Sequence, residues 1–72
     1  MKKVYLMENL ECAHCASKME QAIGKLEGVE SVSVSFLTQK IILNAEESKL
    51  EQIITEAQKI CKKIEPDCII KR

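Results

Sequence analysis

The sequence predicts a single domain of the α+β class, and three observations support that prediction. A chain of 72 residues buries only about 60% of its extended surface, which suits one small core. Hydrophobic residues make up 46% of the chain and charged residues 31%, as in ordinary globular proteins. Segments of alternating polarity indicate strands, and apolar positions three and four residues apart indicate two helices. We therefore treat residues 1–72 as one domain.

The first part of the chain predicts a strand followed by a helix. Strand 1 is expected from Lys3 to Glu8, a short segment of high β propensity that runs into a turn-like stretch. Helix 1 is expected from Ala13, and Gly28 is expected to close its C-terminal end. The small and apolar positions that recur on one face of this helix are Ala16, Met19, Ala22, Ile23 and Leu26.

The middle of the chain predicts a hairpin. Apolar residues alternate with serines from Val29 to Phe36, which is the period of a half-buried strand. Residues 37–40 are expected to turn, and residues 41–45 to return as the next strand. Strands 2 and 3 are therefore expected to pair directly.

A second helix and a last strand complete the pattern. Ser48 is expected to begin helix 2 in a capping box with Glu51, and Pro66 is expected to end it. Residues 67–72 are expected to form strand 4, so the element order is β-α-β-β-α-β. This order is the ferredoxin-like, or split βαβ, arrangement. It predicts a four-stranded antiparallel sheet in the order 4-1-3-2 with both helices on one face.

Charge and composition exclude several classes of function. Eleven Lys and Arg residues balance eleven Asp and Glu residues, which leaves no basic footprint for a nucleic acid. No apolar run suits a membrane span or a signal peptide, so we expect a soluble, cytoplasmic chain. The sequence contains no recognisable nucleophile–base pair or phosphate-binding loop, and we expect no enzymatic activity from it.

Cys12 and Cys15 carry the main functional signal. Two residues separate them at the predicted start of helix 1, where unpaired N–H groups and the helix dipole lower the pKa of a thiol. We expect both to be thiolates near neutral pH. Two soft anionic ligands on an exposed loop suit Cu(I), Zn²⁺, Cd²⁺ or Pb²⁺. The spacing therefore predicts a soft-metal site.

The segment from Asn9 to Cys15 and the apolar positions after it resemble the heavy-metal-associated domain. Those further positions are Met19, Ile23, Leu26, Gly28, Val29, Val32 and Val34. The resemblance covers essentially the whole chain and implies a ferredoxin-like metal-binding domain, either a small chaperone or the N-terminal domain of a soft-metal P-type ATPase. The implied partner is a metal-transporting ATPase or another thiolate metal-binding domain. The chain departs from the usual G-M-x-C-x-x-C signature at Asn9 and Leu10.

The residue before the first cysteine points to one branch of that family. An acidic residue there, together with the Ile64 to Asp67 ending of helix 2, is similar to domains on zinc, cadmium and lead exporting ATPases. The resemblance implies that Glu11 helps to ligate Zn²⁺, Cd²⁺ or Pb²⁺, and a divalent ion does prefer more than two ligands. Cu(I) is the alternative ion. His14 lies between the cysteines, and we expect it to face solvent rather than the metal.

Two further cysteines allow two interpretations. Cys61 and Cys68 both occupy predicted core-facing positions, where a free cysteine behaves as a small buried apolar residue. Alternatively, Cys68 begins strand 4 beside the end of strand 1, so it is a candidate third thiolate that would favour Cd²⁺ or Pb²⁺. A disulfide between them is geometrically conceivable but not expected in a cytosolic protein.

The motif also permits a function of another class. A C-x-x-C pair at a helix start after a strand is the motif of small thioredoxin-like dithiol oxidoreductases. Ala13 and His14 stand where that class commonly has a proline, and a hairpin follows helix 1 directly, so we favour metal binding.

The sheet is expected to expose an apolar face. The residues predicted to point away from the helices are Val4, Leu6, Ile42 and Ile69. Because an apolar patch on an open sheet often marks an interface, we expect weak self-association or contact with another domain there.

Overall fold

The computed structural model describes residues 1–71, which form four strands and two α-helices. The elements in chain order are β1 (Lys2–Glu8), α1 (Ala13–Gly24), β2 (Val29–Ser35), β3 (Lys40–Ala45), α2 (Leu50–Ile64) and β4 (Ile69–Lys71). A single 3₁₀ turn, Glu47–Lys49, precedes α2. The predicted β-α-β-β-α-β order is confirmed.

The strands form one antiparallel sheet in the order β2-β3-β1-β4. This is the predicted order counted from the other edge. In the centre of the sheet Val4 lies opposite Ile42, and on the other side of β1 Met7 lies opposite Ile70. Because side chains alternate between the faces of a sheet, this register sends Met7 and Ile70 to the helices and Val4 and Ile42 to the open face.

The core lies between the helices and the sheet. Fifteen apolar residues are buried there: Met7, Leu10, Ala16, Met19, Ile23, Ile41, Leu43, Ala45, Leu50, Ile53, Ile54, Ala57, Cys61, Cys68 and Ile70. Among the described residues no polar or charged side chain is buried with them. Hydrophobic burial therefore holds the two layers together.

The predicted end of the first helix is wrong. Helix α1 ends at Gly24, and the N–H of Lys25 bonds the carbonyls of Ala22 and Ile23. Gly28 lies in the connection to β2 with a φ of 92°, a conformation that glycine adopts without strain. A Cβ there would come within 2.8 Å of Lys49 Cδ and 3.3 Å of Ile53 Cδ1, so a larger residue would also have to displace these side chains.

The predicted start of the second helix is also wrong. Ser48 lies inside the 3₁₀ turn, and α2 begins at Leu50 after Lys49, whose side chain makes no capping hydrogen bond. The turn takes over the role of a cap, because the N–H of Lys49 bonds the carbonyl of Glu46 at 3.0 Å. The predicted capping box with Glu51 does not start this helix.

Strand 4 is shorter than predicted. Asp67 and Cys68 belong to the turn before it, in which the Cys68 N–H bonds the carbonyl of Glu65 at 2.9 Å. The predicted last residue of the strand, Arg72, lies outside the described residues.

Both edge strands are covered by a helix side chain. The N–H of Val34 in β2 donates to Glu20 Oε1 at 2.8 Å. In β4 the N–H of Ile70 donates to Gln58 Oε1 at 2.7 Å, and Gln58 Nε2 donates to the carbonyl of Cys68 at 3.2 Å. These bonds occupy backbone groups that would otherwise be free to pair with another strand.

Within residues 1–71, neither helix has the length and apolar character needed to cross a membrane.

Candidate metal centre

The loop between β1 and α1 presents the two cysteines at one end of the sheet. Asn9 turns the chain with a φ of 64°, a left-handed conformation that asparagine tolerates. Leu10 then points into the core and is only 1% exposed. Cys12 is the N-cap of α1, and its Sγ accepts a hydrogen bond from the backbone N–H of Cys15 at 3.4 Å. Both cysteines are half-buried.

Gln39, in the turn between β2 and β3, holds this loop in place. Its Oε1 accepts from the N–H of Leu10 at 3.0 Å, while its Nε2 donates to the carbonyl of Leu10. The same Nε2 donates to the carbonyl of Phe36 at 2.6 Å, and the Gln39 carbonyl accepts from the N–H of Met7 at 2.7 Å. One amide side chain thus satisfies both backbone polar groups of the buried loop residue. The sequence analysis missed it, because nothing in the sequence pairs residue 39 with residue 10.

The two thiols are electrostatically unequal. The backbone N–H of Cys15 lowers the pKa of Cys12 below its usual value, and the Cys15 thiol and the N–H of His14 add to the effect. These donors stabilise the thiolate form of Cys12, as expected at the N-cap of a helix.

The pKa of Cys15 is instead raised to about 11, first because its thiol donates to Cys12, then because of burial and the nearby Glu65 carboxylate. The expectation that both thiols are ionised near neutral pH is therefore wrong for Cys15. A first negative charge on Cys12 resists a second one beside it. Cys12 therefore loses its proton before Cys15 does.

Glu65 is the site residue that the sequence analysis did not assign. It caps the C-terminal end of α2, where its N–H bonds the carbonyl of Cys61 at 2.7 Å. Its carboxylate raises the pKa of the neighbouring Cys15 thiol and acts electrostatically on Cys12 and Cys68. The available signal was topological, since the end of α2 lies beside the end of β1 that carries the loop.

Glu11 and His14 are exposed on either side of Cys12. Glu11 and Glu65 line a shallow surface cleft of about 340 Å³ together with Asn9 and Asp67. Asn9 Nδ2 donates to the carbonyl of Asp67 at 3.0 Å, which ties the loop to the turn before β4. Within residues 1–71, no three His, Cys, Asp or Glu side chains are gathered into one metal-binding group in this conformation. The ligand role of Glu11 stays a prediction.

The other two cysteines lie together in the core. Cys61 and Cys68 are both 0% exposed, and each affects the pKa of the other. Burial raises the pKa of Cys61 to about 12 and raises that of Cys68 as well. The structure brings Cys68 into contact with Cys61 rather than into a group with Cys12 and Cys15, and its role as a third thiolate stays a prediction.

A thiol pair at a helix N-cap on a four-stranded ferredoxin-like sheet defines a class of small soft-metal-binding domains. Residues 4–65 match the family model of the heavy-metal-associated domain. This match covers most of the chain, so the protein belongs to the heavy-metal-associated domain family. The resemblance drawn from Asn9 to Cys15 is confirmed.

Its relatives include metal-transporting ATPases and a copper chaperone. The chain is 36% identical over 53 residues to a zinc/cadmium/lead-transporting P-type ATPase of Escherichia coli, covering 74% of this chain and 7% of the ATPase. It is 28% identical over 64 residues to the copper chaperone CopZ of Enterococcus hirae, covering 89% of this chain and 86% of the chaperone. It also spans 10% of a cadmium, zinc and cobalt-transporting ATPase of Bacillus subtilis.

The fold is similar to that of a solved domain as well. It matches the N-terminal domain of a potential copper-translocating P-type ATPase from Bacillus subtilis with a TM-score of 0.75. That match is 21% identical and covers 97% of this chain and 82% of the other. The ferredoxin-like fold predicted from the element order is confirmed.

Proposed function

We propose that this domain binds a soft divalent metal ion on Cys12 and Cys15 and transfers it to another thiolate site. The observation that carries the proposal is the half-buried thiol pair at the start of α1, in which the pKa of Cys12 is lowered. An arriving cation displaces the protons that the two thiols still hold and gains two soft ligands.

Carboxylates beside the pair favour Zn²⁺, Cd²⁺ or Pb²⁺ over Cu(I). Glu65 contacts the Cys15 thiol, and Glu11 lies next to Cys12 on the rim of the same cleft. A divalent ion held by two thiolates and one or two carboxylates approaches the four ligands that zinc prefers. Cu(I) is satisfied by soft ligands alone and gains little from the acids. The relationship to a zinc/cadmium/lead-transporting ATPase supports this choice, and that to a copper chaperone keeps Cu(I) as the alternative.

Transfer follows from the exposure of the site and from its weaker ligands. A soft ion binds carboxylates less tightly than thiolates, so a cysteine of a partner can replace a carboxylate before either Cys12 or Cys15 departs. The ion then moves through shared coordination and is never released free. We expect the partner to be a metal-transporting ATPase or another thiolate domain, with this chain acting as a chaperone or as the N-terminal domain of such a transporter. Neither role requires catalysis by this chain.

Competition titrations test the proposal. Zn²⁺, Cd²⁺, Pb²⁺ and Cu(I) are titrated against chelators of known affinity, for the native chain, for C12S/C15S and for E11A and E65Q. We expect C12S/C15S to lose tight divalent binding. E11A and E65Q should weaken the binding of the divalent ions more than that of Cu(I). The matched control is E30A, which removes an exposed carboxylate on β2 far from the loop and should leave metal binding unchanged. Undiminished divalent binding by C12S/C15S would contradict the proposal.

The unequal pKa values of Cys12 and Cys15 also suit a dithiol oxidoreductase, in which one thiolate attacks a disulfide. Insulin reduction and the reduction potential of the Cys12–Cys15 pair separate the two functions. We expect slow or absent turnover together with tight metal binding. Rapid turnover without tight metal binding would favour the oxidoreductase.

A further inference from the structure

The buried thiols of Cys61 and Cys68 form a group that the proposed outer site does not use. Two consecutive backbone bonds bring them together across the turn between α2 and β4. The Glu65 N–H donates to the carbonyl of Cys61 at 2.7 Å, and the Cys68 N–H donates to the carbonyl of Glu65 at 2.9 Å. The two thiols interact there, and Cys68 adds to the rise in the pKa of Cys61.

Gln58 fixes the strand side of this arrangement. It lies one turn before Cys61 on α2, and its side chain bonds the backbone of both Cys68 and Ile70. The helix and the strand that carry the two sulfurs are thus tied together directly beside them. The geometry of the pair is set by the fold rather than by flexible side chains.

We propose that Cys61 and Cys68 form a second, interior site for a thiophilic divalent ion that two ligands satisfy. Binding replaces two S–H bonds with two metal–sulfur bonds and releases two protons to solvent. The product, one divalent cation with two thiolates, carries no net charge.

The net charge of the metal–dithiolate complex and the number of ligands the ion prefers determine which ion the interior accepts. A net charge enclosed in an apolar core is costly, so the negative complex of Cu(I) with two thiolates is disfavoured. Zn²⁺ and Cd²⁺ seek further ligands, and among the described residues no polar or charged side chain is buried with the pair. An ion of the mercuric type, soft and content with linear coordination, meets both conditions.

Glu65 is a common neighbour of the two pairs. Its carboxylate raises the pKa of Cys15 and acts electrostatically on Cys68. Cys15 itself packs against the core. The interior pair therefore lies near the outer pair.

Mercuric ion titrated into C12S/C15S tests the interior site without the outer one. We expect one Hg²⁺ per chain by native mass spectrometry, a sulfur-to-metal charge-transfer band in the ultraviolet, an unchanged fold by circular dichroism and a raised Tm. Loading should be slower than in the native chain, which should take two equivalents. Zn²⁺ should not bind C12S/C15S tightly.

Two single-thiol controls, C12S/C15S/C61A and C12S/C15S/C68A, should lose the charge-transfer band and the rise in Tm. Three results would overturn the interior site: no binding even after refolding with Hg²⁺, binding accompanied by a lowered Tm, or the same signals in both single-thiol controls. None of these results bears on divalent binding by the outer pair, which the titrations of the native chain measure separately.

Discussion

Cys12 and Cys15 differ in reactivity although only two residues separate them. The lowered pKa of Cys12 gives it more thiolate than Cys15 at neutral pH. We therefore expect iodoacetamide to alkylate Cys12 first in the metal-free, reduced protein at pH 7. Peptide mapping by mass spectrometry after short exposures measures the order. Faster labelling of Cys15 would show that the hydrogen bonds at the N-cap have been assigned to the wrong sulfur.

The buried thiol of Cys61 makes stability depend on pH in the alkaline range. Its pKa is raised to about 12, first by burial, whereas an unfolded chain loses this proton near 9.0. Above about pH 9 the unfolded state therefore binds fewer protons than the native state, so the free energy of unfolding falls as pH rises. This contribution is complete below pH 9 and is lost progressively towards pH 12.

C61A should make the alkaline decline shallower. At pH 7 the free energy of unfolding of the variant should be about 1–2 kcal/mol lower than that of the native chain, because a buried sulfur is removed. Between pH 9 and 11 the free energy of unfolding should fall less in the variant than in the native chain. Urea unfolding at each pH measures both. An equal decline in the two proteins would mean that Cys61 ionises as easily in the fold as outside it.

Spacing alone was sufficient to predict Cys12 and Cys15 as candidate metal ligands, because a C-x-x-C pair at a helix start is a local pattern. The unequal pKa values were not predictable, since they depend on which sulfur accepts the N–H of Cys15. Glu65 escaped notice for a different reason: its neighbours at the site come from the other end of the chain.

Among the elements, the turn between β2 and β3 has the clearest effect on the site. Gln39 in this turn bonds both backbone groups of Leu10 and so orders the loop that carries Cys12. Q39A should lower the free energy of unfolding by about 1–3 kcal/mol, because buried backbone groups lose their partners. It should also weaken metal binding by roughly three- to tenfold, or about 0.6–1.4 kcal/mol.

Chelator competition and urea unfolding test Q39A. Q21A, which truncates an exposed glutamine of α1, is the matched control and should change neither quantity. Q39E keeps an acceptor for the Leu10 N–H but loses both donated bonds, so its effect should approach that of Q39A. Native affinity in a stably folded Q39A would show that the loop is ordered without this amide.

Element types were predictable from periodicity, but two boundaries were not. Gly28 was expected to end a helix, yet it lies in the connection to β2 with a positive φ, packed near Lys49 from a distant part of the chain. Ser48 was expected to cap α2, but the backbone of a 3₁₀ turn does that work. Each error arose where tertiary contact or backbone hydrogen bonding replaced the usual side-chain signal.

At the scale of the whole molecule, the open face of the sheet is apolar in its centre and basic around it. Its exposed apolar residues are the predicted ones, Val4, Leu6, Ile42 and Ile69. Leu6 lies between Lys40 on β3 and Lys71 on β4, and Lys71 pairs with Glu8 at 2.7 Å. When two such faces meet, burial of their apolar centres favours association, and repulsion between their lysines opposes it.

Self-association through this face should therefore be weak and should strengthen with salt, because screening reduces the repulsion between lysines. Sedimentation velocity across protein concentrations, at roughly 0.05 and 0.5 M salt, measures it. L6K should abolish the association, whereas E30Q on β2, which also makes the net charge more positive by one, should leave it unchanged because Glu30 lies outside the apolar centre. A strict monomer under all these conditions would contradict self-association through this face.

The side chains that cover the two edge strands have a consequence for crowded solutions. With Glu20 bonded to β2 and Gln58 bonded to β4, a neighbouring copy finds fewer free amides with which to extend the sheet. At high concentration, copies of the chain therefore contact each other mainly through side chains, and these contacts are transient. The domain is therefore less prone to add strands edge to edge than one whose edge amides were all free.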